Sequence, residues 1–462
     1  MSGSWRDPDS SVYVSDRVLR GMTAPAAADW EALTATEFFP RLLQDGKVVD
    51  TASVDVRGRP PDAWSPRAEP WALWLEHDRV PIVSYPYEWS FSMLRDAALA
   101  HLDVLLAALD EGFTLKDGSA YNVQFVGSRP VFIDIGSFQP LTGPWEGYSQ
   151  FCRTMLYPLL LGAHLGVPFQ PLLRGRLDGL RAVEVAGLFR GLTRYRPGVL
   201  RNVLVQSFLE RHASAPTGEV REALVSAGYD SRLVAAVARK LRRLVGRLSA
   251  TRRASHWLGY RANSGYGEDD LLAKDGFVRE ALGPGAPHGL VLDLGTNDGR
   301  YAELAAATAD HVVAVDADEA VIDDLYRRLR ARGDEQILPL VLDVADMTGG
   351  LGWRGRERVA FDDRCRPDVV LALALVHHLV VGANVPLGEV VDWLAGFGAR
   401  LVVEFAHPDD PMVRHLLGGK NPRVAADYRR ELFEERLGER CRIEAAMQLP
   451  LGTRTLYVAT PR

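Results

Sequence analysis

The chain has 462 residues, 47% of them hydrophobic and 25% charged, with a formal net charge of −6. That length implies two or three domains with well-filled cores, and the charge balance gives no reason to expect nucleic acid or another polyanion as a partner. Cys152, Cys365 and Cys441 lie far apart, without CxxC or Cys/His ligand spacing. They read as reduced thiols of a cytoplasmic protein, with no disulfide frame and no metal site.

The first residues, MSGSWRDPDSSVYVSD, lack the basic start and apolar core of a signal peptide. The two most apolar stretches, 155–173 and 369–381, are interrupted by His, Pro or Gln, so they read as buried core and no membrane partner is expected. Only five of the 54 basic residues are lysine, a bias that fits a GC-rich bacterial genome.

Residues 1–85 mix Pro, Asp, Arg and Trp with little periodicity and are expected to form an irregular segment packing on the next domain. Over 89–112, Phe91, Leu94, Ala98, Leu102, Leu105 and Leu106 recur at threes and fours and predict a helix. YNVQFVGSRPVFIDIGSF comes next, two β-rich runs around Gly127 and Ser128 that predict a hairpin. Residues 150–250 read as mostly helical. The last helix carries Leu233, Val237, Leu241, Leu244 and Leu248 on one stripe and Arg239, Lys240, Arg242, Arg243 and Arg247 on a solvated face. Residues 86–250 are thus expected to form one accessory domain.

Within that domain Asp117 and Asn122 are five apart, and Asp134-Ile135-Gly136 closes the second β-run. This resembles the catalytic loop and metal-binding Asp-x-Gly of protein-kinase-like phosphotransferases, where the first acid orients a hydroxyl and the other two residues hold magnesium. No glycine-rich loop precedes it, no lysine sits in a β3-like context, and the usual His is missing. The resemblance therefore implies a degenerate kinase-like, α+β and mostly helical domain kept as a scaffold or substrate platform.

From about 255 the character changes. GLVLDLG, HVVAVD, ILPLVLD, PDVVLALAL, ARLVVEF and RTLYVAT alternate with helical segments, which predicts a doubly wound α/β domain over 255–462. In VLDLGTNDGRYAELAA a buried strand ends in a glycine turn that opens into a helix, where a ligand approaches the backbone and free N–H groups closely. Asp316 ends the second strand, where an acid accepts hydrogen bonds from a ribose diol, and Asp343 ends the third. A single acid of this kind reads as an ordinary solvated residue. Three at the carboxyl ends of successive strands read as a binding edge.

These residues resemble the class I, Rossmann-like S-adenosylmethionine-dependent methyltransferases, whose sheet has seven strands. The resemblance implies that Asp293, Gly295, Asn297 and Gly299 form the loop holding the methionine part of the cofactor. It implies further that Asp316 with Ala317 binds the ribose and that Asp343 with Val344 binds adenine. Asn297 stands where the family often has glycine, and Asn tolerates positive φ. NAD is the weaker alternative, because GTNDGR lacks the second glycine of GxGxxG. RTLYVATPR resembles the final strand that this family adds antiparallel at the sheet edge.

After the fourth strand, LALALVHHLVVG resembles the segment that lines the methionine end of the cofactor and the acceptor pocket. Leu373 is implied as a cofactor contact. His377 and His378 are the candidate general bases, His378 the better one, with buried packing residues as the competing reading. Glu404 and His407 either bind substrate or cap the next helix. The stretch 256–282 resembles the lid over the cofactor, with Tyr266 and Lys274 reaching it, while Tyr260 and Tyr266 read equally well as packing aromatics.

The chain lacks the Asn/Asp-Pro-Pro-aromatic run of nucleobase amine methyltransferases, an attacking cysteine after strand four or five, and the paired-glutamate loop of the protein arginine enzymes. The expected acceptor is a small or carrier-bound metabolite, methylated on oxygen, with S-adenosylhomocysteine as co-product. DGSAYNVQF, then PWEGYSQFC, then the α/β half together resemble a bacterial family of nodulation-protein-like methyltransferases. An ATP-using first half and a non-catalytic cofactor-binding partner protein remain as alternatives.

Overall fold

A computed structural model describes residues 6–55, 71–212, 231–251, 266–283, 288–418, 420 and 426–462. The chain divides into two units: Met1–Val126 with Pro130–Arg253 and Thr348–Ala360, and Gly127–Arg129 with Ala254–Met347 and Phe361–Arg462.

The first unit corrects the expectation of an irregular start. β1 (Ser10–Val14), β2 (Val18–Met22), β3 (Thr51–Ser53) and β4 (Leu73–His77) form an antiparallel sheet in the order β1-β2-β4-β3. β2 hides from pattern reading because a charge is buried in it. Arg20, central in β2, pairs with Asp134 at 3.0 Å and donates to Ser10 Oγ at 2.9 Å. A buried guanidinium satisfied in this way breaks the alternation a half-buried strand would show. The segments 1–85 and 86–250, separate by sequence pattern, fall in this same unit.

The expected helix spans Phe91–Asp110, capped by Ser90, whose hydroxyl accepts from the Met93 N–H at 3.4 Å. β5 (Phe113–Leu115) pairs antiparallel with β8 (Phe138–Pro140), and between them β6 (Val123–Val126) and β7 (Arg129–Phe132) make the predicted hairpin. The helix Ser231–Gly246 packs on Phe91–Asp110. Its buried face is Val234, Ala238, Leu241 and Val245, so the predicted stripe starts one residue early: Leu233 is exposed.

The second unit holds seven strands: β9 (His288–Leu294), β10 (Ala309–Asp316), β11 (Ile337–Val341), β12 (Val369–Ala372), β13 (Arg400–Ala406), β14 (Cys441–Gln448) and β15 (Arg454–Pro461). Their order is β11-β10-β9-β12-β13-β15-β14. β9 to β13 run parallel; β15 is antiparallel to β13, and β14 to β15. This is the doubly wound seven-stranded sheet expected of the methyltransferase fold. One detail is corrected: β15 lies one strand in from the edge, with β14 outermost. β14 gives no strand signal in the sequence, because CRIEAAMQ is mostly exposed and carries no apolar run.

Val291, Val312, Ala314, Leu371 and Val402 fill the core of the sheet. Strand order reverses between β9 and β12, and a doubly wound sheet opens its crevice at the carboxyl ends of such strands.

Candidate cofactor and acceptor site

A cavity of about 470 Å³ opens at that switch point. Its wall includes Asp293 near the end of β9, Gly295 and Asn297 from the turn that follows, Asp316 at the end of β10 with Ala317 next to it, Asp343 and Val344 after β11, Leu373 and His378 after β12, Tyr266 just before the helix Glu268–Leu282 and Lys274 within it. Gly299 and His377 are absent from it, and so are Glu404 and His407.

The first turn is held by hydrogen bonds that fix its shape. Gly295 and Asn297 take positive φ, 72° and 49°, so the one non-glycine residue of the turn in that conformation is of a type suited to it. The Gly295 and Thr296 N–H groups donate to the Val315 carbonyl at 2.9 and 3.0 Å. Thr296 Oγ1 donates to Asp293 at 2.6 Å, a partner that sequence reasoning missed. Asp293 is buried, and burial, only partly offset by Thr296 and Lys274, pushes its carboxyl up to about 6.

Gly299 serves packing. Its φ is 83°, it starts the helix Arg300–Ala305, and a Cβ there would meet a Leu325 methyl at 2.5 Å. Close approach of helix to helix, more than ligand contact, requires glycine at this place.

Asp316 does two things at once. It faces the cavity, and its carboxylate accepts the Asn297 N–H at 3.0 Å and the Asp318 N–H at 2.9 Å. Burial raises its pKa against these bonds. Asp343 accepts from the Ala345 N–H at 2.9 Å.

Beneath the cavity lies a buried charge network. Lys274 Nζ stands 2.6 Å from Glu404, both almost wholly buried. Arg454 pairs with Glu404 at 3.4 Å and with Asp410 at 2.7 Å. The Tyr266 hydroxyl donates to Glu404 at 2.6 Å, and its ring lies between Lys274 and Arg454, with charge-to-centroid distances of 4.8 and 4.5 Å. Burial alone would raise the Glu404 carboxyl; the two cations outweigh it and hold it at about 2. Glu404 therefore lies inside β13 as a structural counter-ion, and Asp410 caps the following helix by accepting from Met412 N at 2.9 Å. His407 donates to or accepts from Thr455 Oγ1 at 2.9 Å, away from the cavity wall.

His377 and His378 have parted roles. Their rings are 4.2 Å apart, but His377 is buried behind the wall, and neither of its nitrogens has a hydrogen-bond partner among the described residues. Burial and the neighbouring His378 hold its pKa well below the ordinary value, so it is a neutral core ring and not a base at the site. His378 starts a π-helical turn, His378–Gly382, a rare geometry that favours functional positions. Burial, then Arg454, lowers its pKa as well. Just before it, Ala374 sits at φ 54°, a left-handed conformation unusual for alanine. Of the lid stretch, residues 266–283 are described; Tyr260 lies outside the described residues.

In the first unit, Asp117 is pushed up to about 6 by burial and by the charge of Asp134. Asn122 is buried, with its side-chain nitrogen unpartnered among the described residues, and Asp134 is engaged by Arg20.

No protein-family profile matches the chain. Among solved structures, it is similar to the N-methyltransferase NodS from Bradyrhizobium japonicum WM9, with 13% identity, 42% of this chain and 98% of that one covered, and a TM-score of 0.32. It is similar also to the magnesium protoporphyrin IX methyltransferase ChlM from Synechocystis PCC 6803, with 19% identity, 44% and 92% covered, and a TM-score of 0.31. Among curated proteins, it is 32% identical to the nodulation protein NoeA of Rhizobium meliloti (strain 1021), over 99% of this chain and 95% of that protein. The chain belongs to the family of the nodulation protein NoeA.

Proposed function

We propose that the second unit is an S-adenosylmethionine-dependent methyltransferase acting on the oxygen of a small or carrier-bound acceptor. The observation that carries this reading is the meeting of Asp293, Asp316 and Asp343 on one cavity, at the carboxyl ends of β9, β10 and β11 in a sheet that ends in an antiparallel pair. The residues fit the group: a buried acid suits the amino end, a second acid at the switch point suits a ribose diol, and positive-φ turns leave the backbone open to close approach. When bound, the cofactor supplies a methyl group on a positively charged sulfur. The chain contributes alignment and exclusion of water, with Leu373, Leu375 and Leu379 among the apolar side chains of the wall.

His378 takes the acceptor proton. It is the histidine that faces the cavity, and its lowered pKa keeps it neutral at physiological pH. For the first unit we propose a scaffolding role; the engagement of Asp134 by Arg20 supports it.

Thermal unfolding with added ligands tests both statements. S-adenosylhomocysteine should raise the midpoint by several degrees while NAD leaves it unchanged. Stabilisation by NAD alone would overturn the cofactor reading. A shift with ATP and magnesium would overturn the scaffold reading.

A further inference from the structure

The stretch 185–209 contains four arginines, Arg190, Arg194, Arg196 and Arg201, and not one aspartate or glutamate, in a chain whose net charge is −6. It also carries several large apolar side chains left in the open. Leu192 and Tyr195 are 86% and 76% exposed, and Leu188, Leu200 and Leu209 about half. Monomeric proteins rarely leave apolar side chains so concentrated on their surface without a use for them.

The backbone presents these side chains on short turns. The helix Ala182–Leu188, the 3-10 turn Gly191–Tyr195, the π-helical turn Leu200–Val205 and the helix Gln206–His212 pack together. Val185, Phe189, Val199 and Val203 are buried and anchor the cluster from inside. The outward positions are left to leucine, tyrosine and arginine. The flanking acids do not neutralise the patch. Glu184 is paired with Arg176, and Glu210 accepts from the Val183 N–H at 3.4 Å.

We infer that this face docks on an anionic lipid bilayer. The exposed leucines and tyrosine reach the boundary between headgroups and acyl chains, and the arginines between them bind lipid phosphates. A second copy of this chain fits the face less well, because a two-fold contact would set four arginines against four arginines with no acid in the stretch between them. The docking surface lies wholly in the first unit and does not depend on the methyltransferase reading.

Cosedimentation of the full chain with vesicles tests the inference. Vesicles of phosphatidylcholine with phosphatidylglycerol should bind the protein, vesicles of phosphatidylcholine alone should not, and added salt should release it. The double variants Leu192→Ser/Tyr195→Ser and Arg194→Gln/Arg196→Gln should each weaken binding about tenfold or more. All four positions are exposed, so an unchanged unfolding midpoint identifies the loss as one of docking. Binding to neither vesicle, or equal binding by wild type and both variants, would overturn the inference. So would a concentration-dependent dimer, broken by Leu192→Ser/Tyr195→Ser, in a protein that ignores vesicles.

Discussion

The Asp316 carboxylate accepts the backbone N–H of Asn297 at 3.0 Å, so the acid that ends β10 braces the turn that ends β9. The ribose-holding role proposed for it and its role in shaping the loop are therefore inseparable. Asp316→Ala removes a charge-assisted acceptor from both, and cofactor affinity should fall by about two orders of magnitude or more. Asp316→Asn keeps one acceptor oxygen and should lose less. Calorimetric titration of the two variants checks the ranking.

Acid should weaken cofactor binding at Asp293. In the free protein its carboxyl is raised to about 6, so below that pH it is protonated and neutral. A cofactor amino group favours the ionised form, and binding at lower pH must therefore release a proton. Affinity should hold above about pH 6 and fall about tenfold per pH unit beneath it. The same group, raised by burial, opposes folding of the free protein as pH climbs from the ordinary carboxylate range through 6. Binding constants measured between pH 5 and 8 decide the point; a flat profile would remove Asp293 from the site.

Among the described residues Glu404 is the one carboxylate that pairs with both Lys274 and Arg454, and its replacement should act on stability first. Glu404→Gln leaves Lys274 buried without its 2.6 Å counter-ion, and breaking such a pair costs about 3–5 kcal/mol. Denaturant unfolding of the variant reads this directly. An unchanged midpoint would mean that Lys274 does not depend on Glu404 as its counter-ion.

The two histidines should separate by kind of damage. His378→Ala should keep cofactor affinity and slow methyl transfer by about 100-fold or more. His377→Ala empties a packed core position, so its first effect should be a lower unfolding midpoint. Because the His378 pKa is lowered, the rate of the wild type should stay level down to a pH below 6.5 before it falls. Equal rates for His378→Ala and wild type would return this ring to a packing role.

Much of this arrangement was legible in the sequence, and the exceptions have physical causes. Asp293, Asp316 and Asp343 stood out because parallel strands are continuous apolar runs, and the first charge at a run's end marks the binding edge. Asn297 was legible through its tolerance of positive φ. The Lys274–Glu404–Arg454 network was not, since it joins three distant stretches and pairing in space leaves no periodic trace. A signal was present all the same: Glu404 interrupts the apolar run VVEFA, and an acid inside a buried strand demands a cation. His377 and His378 are neighbours in sequence, and only the fold shows that it is His378, at the start of the π-helical turn, whose ring meets the cavity. β14 escaped notice because an exposed edge strand has no apolar face to display.

The most direct test of the central claim is calorimetric titration of the full chain with S-adenosylmethionine and S-adenosylhomocysteine. Micromolar-range dissociation constants for both, with heat lost in Asp316→Ala, are the predicted result. No heat with either ligand, or binding left intact in Asp316→Ala, would contradict the cofactor assignment on which the proposed function rests.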